Sequence, residues 1–163
     1  MDTISKTYIA DSNVFYMGIP FQSSSDVSFM ITSHIYDEIE HILKDINGLE
    51  TLISAGRVSI LNPSRESFND LKKSNNRFEV SKLSDADLSL IALGKEVKYP
   101  IISTDYTLAN LAKKLNLQVI IPGKDKFKIK SLKHYCSICK SFTDTHEPYC
   151  NICGNKVILK RTR

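Results

Sequence analysis

Tyr8-Ile9-Ala10-Asp11-Ser12-Asn13-Val14-Phe15 is a short apolar run that stops on an acid and passes straight into helix-forming sequence. It reads as a strand over Thr7–Ala10 followed by a helix from Ser12 to near Gly18. The same arrangement recurs at Pro100-Ile101-Ile102-Ser103-Thr104-Asp105. A third version is Phe29-Met30-Ile31-Thr32, ahead of the helix that carries Glu38. Strands that end on carboxylates and feed helices point to an α/β fold. Its ligands would gather outside the carboxyl ends of the strands.

Working outward, Ser23-Ser24-Ser25 reads as a loop and Ser28–Thr32 as a strand. From Ser33 the apolar positions Ile35, Ile39, Ile42, Leu43 and Ile46 keep helical spacing, and Asn47-Gly48 stops that helix. A short helix over Leu49–Ala55 ends at Gly56, and Val58–Leu61 is a strand. Pro63 and Ser64 open a polar helix that runs into a basic turn, Lys72-Lys73-Ser74-Asn75-Asn76-Arg77. Ser84 caps a helix with Leu88, Ile91, Ala92 and Lys95 on one side. The strand Ile101–Ser103, a helix carrying Leu108, Leu111, Ala112 and Leu115, and the strand Leu117–Ile121 complete the layer before Pro122-Gly123. The expected fold is a mostly parallel sheet flanked by helices over 1–123, a linker over 124–133 and a small module over 134–163.

Asp11, Glu38, Asp87 and Asp105 are the candidate site. Clustered carboxylates repel one another unless a divalent cation lies between them, and hard oxygen donors suit Mg²⁺ or Mn²⁺. Such an ion supports hydrolysis of a phosphodiester. Each acid also has a structural alternative. Asp11 is placed to cap the helix from Ser12, Asp105 the helix from Tyr106, and Asp87 completes a capping box with Ser84. Glu38 is placed to face solvent beside the stripe Ile35, Ile39 and Ile42. Asp85 competes with Asp87 in the same turn. There is no Walker-type phosphate loop and no Gly-x-Ser-x-Gly elbow, which argues against nucleotide hydrolysis of that type and against a serine hydrolase. His34 and His41 read as helix-surface or satisfied core residues.

All four cysteines fall in one short span, as Cys136-x-x-Cys139 and Cys150-x-x-Cys153. Two such pairs can wrap the edges of a tetrahedron, and four thiolates suit structural Zn²⁺. Gly154 just after the second pair supplies backbone freedom for the turn. A module this short cannot fold on its apolar core alone.

Charge divides with the modules. Residues 1–123 carry 12 Lys/Arg against 15 Asp/Glu, net −3, and 124–163 carry 10 against 3, net +7. A basic module on an acidic body suggests a polyanionic partner, most simply nucleic acid. Lys133, Lys140, Lys156, Lys160, Arg161 and Arg163 are the candidate RNA contacts. Lys72, Lys73 and Arg77 form a second basic group, read first as a solvated turn. Tyr135, Phe142 and Tyr149 either stack on bases or pack the module. There is no apolar run long enough to span a membrane and no signal-peptide core at Met1–Lys6, so a cytoplasmic protein without membrane association is expected.

Tyr-Ile-Ala-Asp-Ser-Asn-Val-Phe, Ser-His-Ile-Tyr-Asp-Glu-Ile, Leu-Ser-Asp-Ala-Asp-Leu-Ser-Leu-Ile-Ala-Leu and Ile-Ser-Thr-Asp-Tyr-Thr-Leu-Ala-Asn-Leu-Ala resemble the successive motifs of PIN-domain ribonucleases. A PIN domain followed by a four-cysteine zinc ribbon is similar to the Nin-one-binding protein family, endonucleases that mature the 3′ end of small-subunit rRNA. The resemblance runs from Thr7 to Lys156. It implies catalytic and metal-binding roles for Asp11, Glu38, Asp87 and Asp105, with Ser103 in the place of the family's threonine. It implies RNA cleavage that leaves a 5′-phosphate and a 3′-hydroxyl, on small-subunit pre-rRNA in a pre-ribosome, with an assembly-factor protein as a further partner. Many members carry an Asp immediately before the last acid, where this chain has Thr104. The alternatives are a toxin-like PIN RNase and a non-catalytic RNA-binding assembly factor.

Overall fold

The structure is a computed structural model that describes residues 6–42, 47–74, 77–124, 132–143 and 148–161, side chains 41, 42, 47, 77, 132 and 161 excepted. The chain forms two compact units, Met1–Phe127 and Lys128–Arg163.

In the first unit the strands are β1 (Lys6–Ala10), β2 (Val27–Ile31), β3 (Val58–Ile60), β4 (Ile101–Ile102) and β5 (Val119–Ile120). They form one parallel sheet in the order β3-β2-β1-β4-β5. Helices α1 (Ser12–Tyr16), α2 (Ile19–Gln22), α3 (Ser33–Ile42), α4 (Asn47–Ser54), α5 (Arg65–Lys72), α6 (Arg77–Val80), α7 (Asp85–Val97) and α8 (Tyr106–Lys114) connect them. The expected mostly parallel α/β sheet is therefore the observed one. The strand order reverses between β1 and β4, and in such sheets the crevice at that switch point is the ligand position.

Register sets what stands at the crevice. Ile9 pairs with Ile101 and Ala10 with Ile102. The ladder runs one step further, since the Asp11 amide donates to the Ile102 carbonyl at 3.2 Å. Asp11 and Ser103 thus emerge side by side from neighbouring strands. Ile9 and Ile101 are fully buried, and burial of a side chain of that size contributes about 1.5–3 kcal/mol. Slipping one strand by one residue would turn those faces outward and separate Asp11 from Ser103.

Helix α7 departs from the expected one-sided pattern. Leu88, Ser89, Leu90, Ile91, Ala92, Leu93 and Gly94 are all buried. A helix apolar on all sides belongs inside the domain. α7 packs against α3, α5, α8, β1 and β4. Gly94 lets it approach the sheet, since a Cβ there would stand 3.0 Å from Ile101 Cδ1.

Three further boundaries differ from the sequence reading. The helix from Ser12 ends at Tyr16, and Gly18, at φ 73°, turns the chain into the unanticipated α2. Asn47, read as a stop, opens α4. Arg77, read as part of a basic turn, opens the short helix α6. Glu79 of α6 pairs with Lys114 of α8, a tertiary contact that no local pattern announces. Leu43 and Ile46 lie outside the described residues.

The second unit is an antiparallel sheet, β7-β6-β8, built from β6 (Leu132–Cys136), β7 (Ser141–Thr143) and β8 (Ile158–Arg161). The end of the expected linker is thus already strand. Positions 125–131 of that linker, His146 and Arg163 lie outside the described residues. Among the described residues, no helix is long and apolar enough to cross a membrane.

A buried polar bridge ties α7 to the end of β2. Ser89 Oγ donates its one proton to the Ala86 carbonyl at 2.6 Å, so the Thr32 hydroxyl donates to Ser89 Oγ at 2.7 Å. Both side chains are fully buried. Ser89→Ala should cost about 1–3 kcal/mol by stranding the Thr32 hydroxyl, and adding Thr32→Val should recover much of that loss. Urea unfolding of the two single variants and the double variant measures it; additive losses would contradict the bridge.

Candidate active site and metal centre

Asp11 is the centre of the acidic site. It stands at the N-cap position of α1, yet its side chain makes no capping bond. The residue is only 4% exposed. Ser103 Oγ donates to Oδ2 at 2.8 Å, and Ser12 Oγ donates to Oδ1 at 3.3 Å. Burial pushes the Asp11 carboxyl above its ordinary value, partly opposed by the Ser103 bond and reinforced by repulsion from Asp87.

Glu38, half-buried on α3, shares this environment. Burial raises its carboxyl, the nearby Ser12 hydroxyl opposes that rise, and repulsion from Asp87 and Asp11 adds to it. Asp87 Oδ2 accepts from the Ser84 amide at 2.9 Å and from Ser84 Oγ at 2.7 Å, which completes the capping box of α7. The sequence alternative for Asp87 is therefore realised, and the same carboxylate still faces the other two acids. Asp85 pairs with Lys72 at 2.6 Å.

Asp105 stands apart. Its Oδ1 accepts from the Thr107 amide at 2.6 Å and the Leu108 amide at 3.4 Å, capping α8. It is not among the groups that shift Asp11 or Glu38. Its link to the site is Ser103, whose hydroxyl accepts from the Asp105 amide at 3.0 Å while donating to Asp11. Asp11, Glu38 and Asp87 thus interact through their charges, and the Asp105 side chain caps its helix.

Two residues at the site escaped the sequence reading. Ser12 donates to Asp11, and its hydroxyl also favours the charged form of Glu38. Tyr16, one turn along α1, donates to the Glu38 carbonyl at 3.2 Å, and burial together with Glu38 and Asp11 raises its phenol. Ser12 directly follows Asp11 and Tyr16 stands one helical turn after Ser12, and that i, i+4 spacing is the one signal that could have found them.

The carboxylates fit a hard cation better than a soft one. Among the described residues no three of the carboxylates come within 4.8 Å of one another, whereas the four cysteines do. That spacing suits Mg²⁺, which keeps several waters and is held through one or two carboxylates.

The cysteine site is closed. Cys136 Sγ and Cys153 Sγ stand 3.5 Å apart, and Cys139 Sγ and Cys150 Sγ 3.9 Å. A tetrahedron with metal–sulfur bonds of about 2.3 Å has edges of about 3.8 Å, so the set fits zinc. The knuckles are alike: the residue after each second cysteine is left-handed, Lys140 at φ 53° and Gly154 at φ 71°. Without a cation the thiols cannot all ionise. The Asn155 amide and the neighbouring thiols bring Cys153 down to about 7, and bonding to Cys153, with burial, pushes Cys139 up to about 12. Cys136, Cys150 and Val157 are the unit's whole buried apolar cluster among the described residues.

Of the proposed RNA contacts, Lys133, Lys140, Lys156 and Lys160 are exposed on the ribbon. Lys160 lies over the Tyr135 ring at 4.1 Å, and Tyr135 meets Phe142 edge-on at 5.1 Å. The side chain of Arg161 and all of Arg163 lie outside the described residues.

Two measurements follow from the two sites. Because the folded state raises the Asp11 carboxyl, it loses stability as pH climbs from the unfolded carboxylate value through the raised folded one. Asp11→Asn should therefore raise the melting temperature at neutral pH in buffer free of Mg²⁺ and Mn²⁺, and lose that advantage below the unfolded value. An unchanged or lowered neutral-pH melting temperature would contradict a charge penalty at Asp11. Metal analysis of the purified protein should return about one zinc per chain, and folded protein with none would contradict the thiolate site.

No protein-family model matches the chain. It is similar to Endoribonuclease Nob1 of Pyrococcus abyssi, 31% identical over 160 residues that cover 95% of each chain. It is also similar to Endoribonuclease Nob1 of Methanocaldococcus jannaschii, 28% identical over 170 residues, covering 93% of this chain and 83% of that one. A parallel sheet with acids at its switch point, a closed four-cysteine centre and a likeness running nearly end to end agree, and the chain belongs to the Nob1 endoribonuclease family.

Proposed function

We propose that this chain is a metal-dependent endoribonuclease that hydrolyses RNA phosphodiesters at the carboxyl edge of its parallel sheet. Asp11, Glu38, Asp87 and Asp105 would hold Mg²⁺ or Mn²⁺, and Cys136, Cys139, Cys150 and Cys153 would hold a structural Zn²⁺. The observation that carries this reading is the Asp11 carboxylate. It is buried beside Glu38 and Asp87, it caps nothing, and two hydroxyls fix its oxygens. A fold that needed only a polar group there would not bury a charge against two others.

When bound, Mg²⁺ or Mn²⁺ supplies water activation and neutralises charge on the phosphate. The chain's own groups do the positioning. Ser103 and Ser12 fix the two oxygens of Asp11, and the Ser84 cap fixes Asp87 at the start of α7. Asp105 contributes through its main chain, which orients Ser103.

By relationship to the Nob1 endoribonucleases, the substrate is small-subunit pre-rRNA within a pre-ribosome in the cytoplasm, cut at the 3′ end of the mature rRNA. An assembly-factor protein is a further expected partner. The exposed ribbon lysines Lys133, Lys140, Lys156 and Lys160, with Arg161 and Arg163, would hold the RNA through its phosphates. The division into a nuclease domain over 1–123 and a zinc ribbon over 134–163 assigns hydrolysis and RNA capture to separate units.

The test is cleavage of a precursor spanning the small-subunit rRNA 3′ end, with Mn²⁺. Wild type should cut, and Asp11→Asn should lose about 10²-fold or more. Equal cutting by both would refute the acidic site. Binding by both with cutting by neither would favour the assembly-factor reading.

A further inference from the structure

The four cysteines of the ribbon are unequal in their exposure. Cys136 and Cys150 are buried, Cys139 is half-buried and Cys153 is exposed. They also meet in a definite pattern. Cys136 Sγ touches Cys153 Sγ at 3.5 Å, and Cys150 Sγ touches Cys139 Sγ at 3.9 Å. These two contacts use each sulfur once, and both cross from one Cys-x-x-Cys knuckle to the other. A disulfide is about 2.05 Å long, so each pair has to close by roughly 1.5–2 Å to bond.

Which bonds form decides what oxidation does to the ribbon. Its buried apolar cluster among the described residues is Cys136, Cys150 and Val157, so the unit depends on whatever ties its two knuckles together. Bonds inside each knuckle would leave the knuckles unjoined. Bonds across them link residues 17 and 11 apart, and a disulfide stabilises more when it closes a longer loop. The cross-knuckle pairs therefore make the same connection as a shared cation. Cys153 is the entry point for an oxidant. It is exposed between exposed Ile152 and Gly154, on a module of net charge +7 over 124–163, and accessible thiolates in electropositive surroundings are the reactive ones. In a reducing compartment such bonds are transient and sense oxidants.

Resting on the reading of the four thiolates as a zinc site, we propose that Cys153 is a site of oxidative modification by peroxide, resolved by Cys136, and that the ribbon exchanges its cation for two cross-knuckle disulfides, Cys136–Cys153 and Cys139–Cys150, without losing its fold. The Cys153 thiolate attacks one peroxide oxygen, which breaks the O–O bond, gives a sulfenic acid and releases hydroxide. The Cys136 thiolate then attacks the Cys153 sulfur, forms the S–S bond and expels the second hydroxide. Two electrons leave the two thiolates and reduce one peroxide. A second peroxide takes two electrons from Cys139 and Cys150 in the same way. Four thiolates become two disulfides, two peroxides become four hydroxides, and Zn²⁺ leaves with its charge unchanged. A dithiol reductant with added Zn²⁺ reverses the exchange.

The test treats the full zinc-loaded chain with hydrogen peroxide, blocks remaining thiols with N-ethylmaleimide and maps the bonds by tandem mass spectrometry. Trypsin separates the knuckles, since Cys136 and Cys139 lie on His134–Lys140 and Cys150 and Cys153 on Ser141–Lys156. After about one equivalent of peroxide the two peptides should be joined through Cys136–Cys153, with Cys139 and Cys150 alkylated. After about two equivalents both bonds should be present and about one zinc per chain should appear in a chelating dye. The amide NMR resonances of β6, β7 and β8 should stay dispersed throughout. Separate tryptic peptides, a Cys139–Cys150 bond formed first, sulfinic acids in place of disulfides, or collapse of the ribbon resonances would each overturn the exchange. Metal analysis of the starting protein is scored separately: protein without zinc defeats the zinc reading, while the bond pattern is still read from the same two peptides.

Discussion

The hydrogen bond from Ser103 to Asp11 joins the two strands between which the sheet order reverses. It exists because Ile9 and Ala10 pair with Ile101 and Ile102, which brings the next residue of each strand out at the same level. Asp11 is buried there at an electrostatic cost that Asp87 raises, and Asp87 and Asp11 together raise the Glu38 carboxyl. The surrounding apolar core fixes the register and so enforces the arrangement. Stability and function draw on the same contacts in opposite directions, as is common where a fold holds charges for chemistry.

Much of this was legible in the sequence because the signals are local. Alternating strands and helices, acids at strand ends, the Ser84–Asp87 spacing and the paired cysteines each depend on a few neighbouring residues. What was not legible depends on distant ones. Asp87 could be read as a cap or as a site acid, and it is placed for both, since one oxygen caps α7 while the carboxylate faces Asp11. Asp85 and Asp87 were separable only through Lys72, which comes from another helix. The all-round burial of α7 was missed because its face pattern is weak when every side meets protein. His34, read as a helix-surface or satisfied core residue, stacks on Phe68 from another helix.

The two candidate metal centres follow opposite physical designs. The cysteine set is closed and soft, with sulfurs at tetrahedral spacing and almost no apolar core around it among the described residues, so a cation there would stand in for a core. The acidic set is open and hard, spread along the edge of an already folded sheet, so a cation there adds chemistry to a structure that does not need it to form. The charge division fits this contrast: the acidic body would repel RNA, and the basic module, net +7 over 124–163, would attract it.

The central claim is that the carboxylates around Asp11 form a site for a hard divalent cation. Anomalous diffraction from crystals grown with Mn²⁺, collected on wild type and on Asp11→Asn, tests it most directly. The predicted result is an ordered Mn²⁺ peak contacting the Asp11 carboxylate, directly or through water, with Glu38 and Asp87 around it, and no such peak in the variant. A peak elsewhere, or one that persists unchanged in Asp11→Asn, would contradict the account.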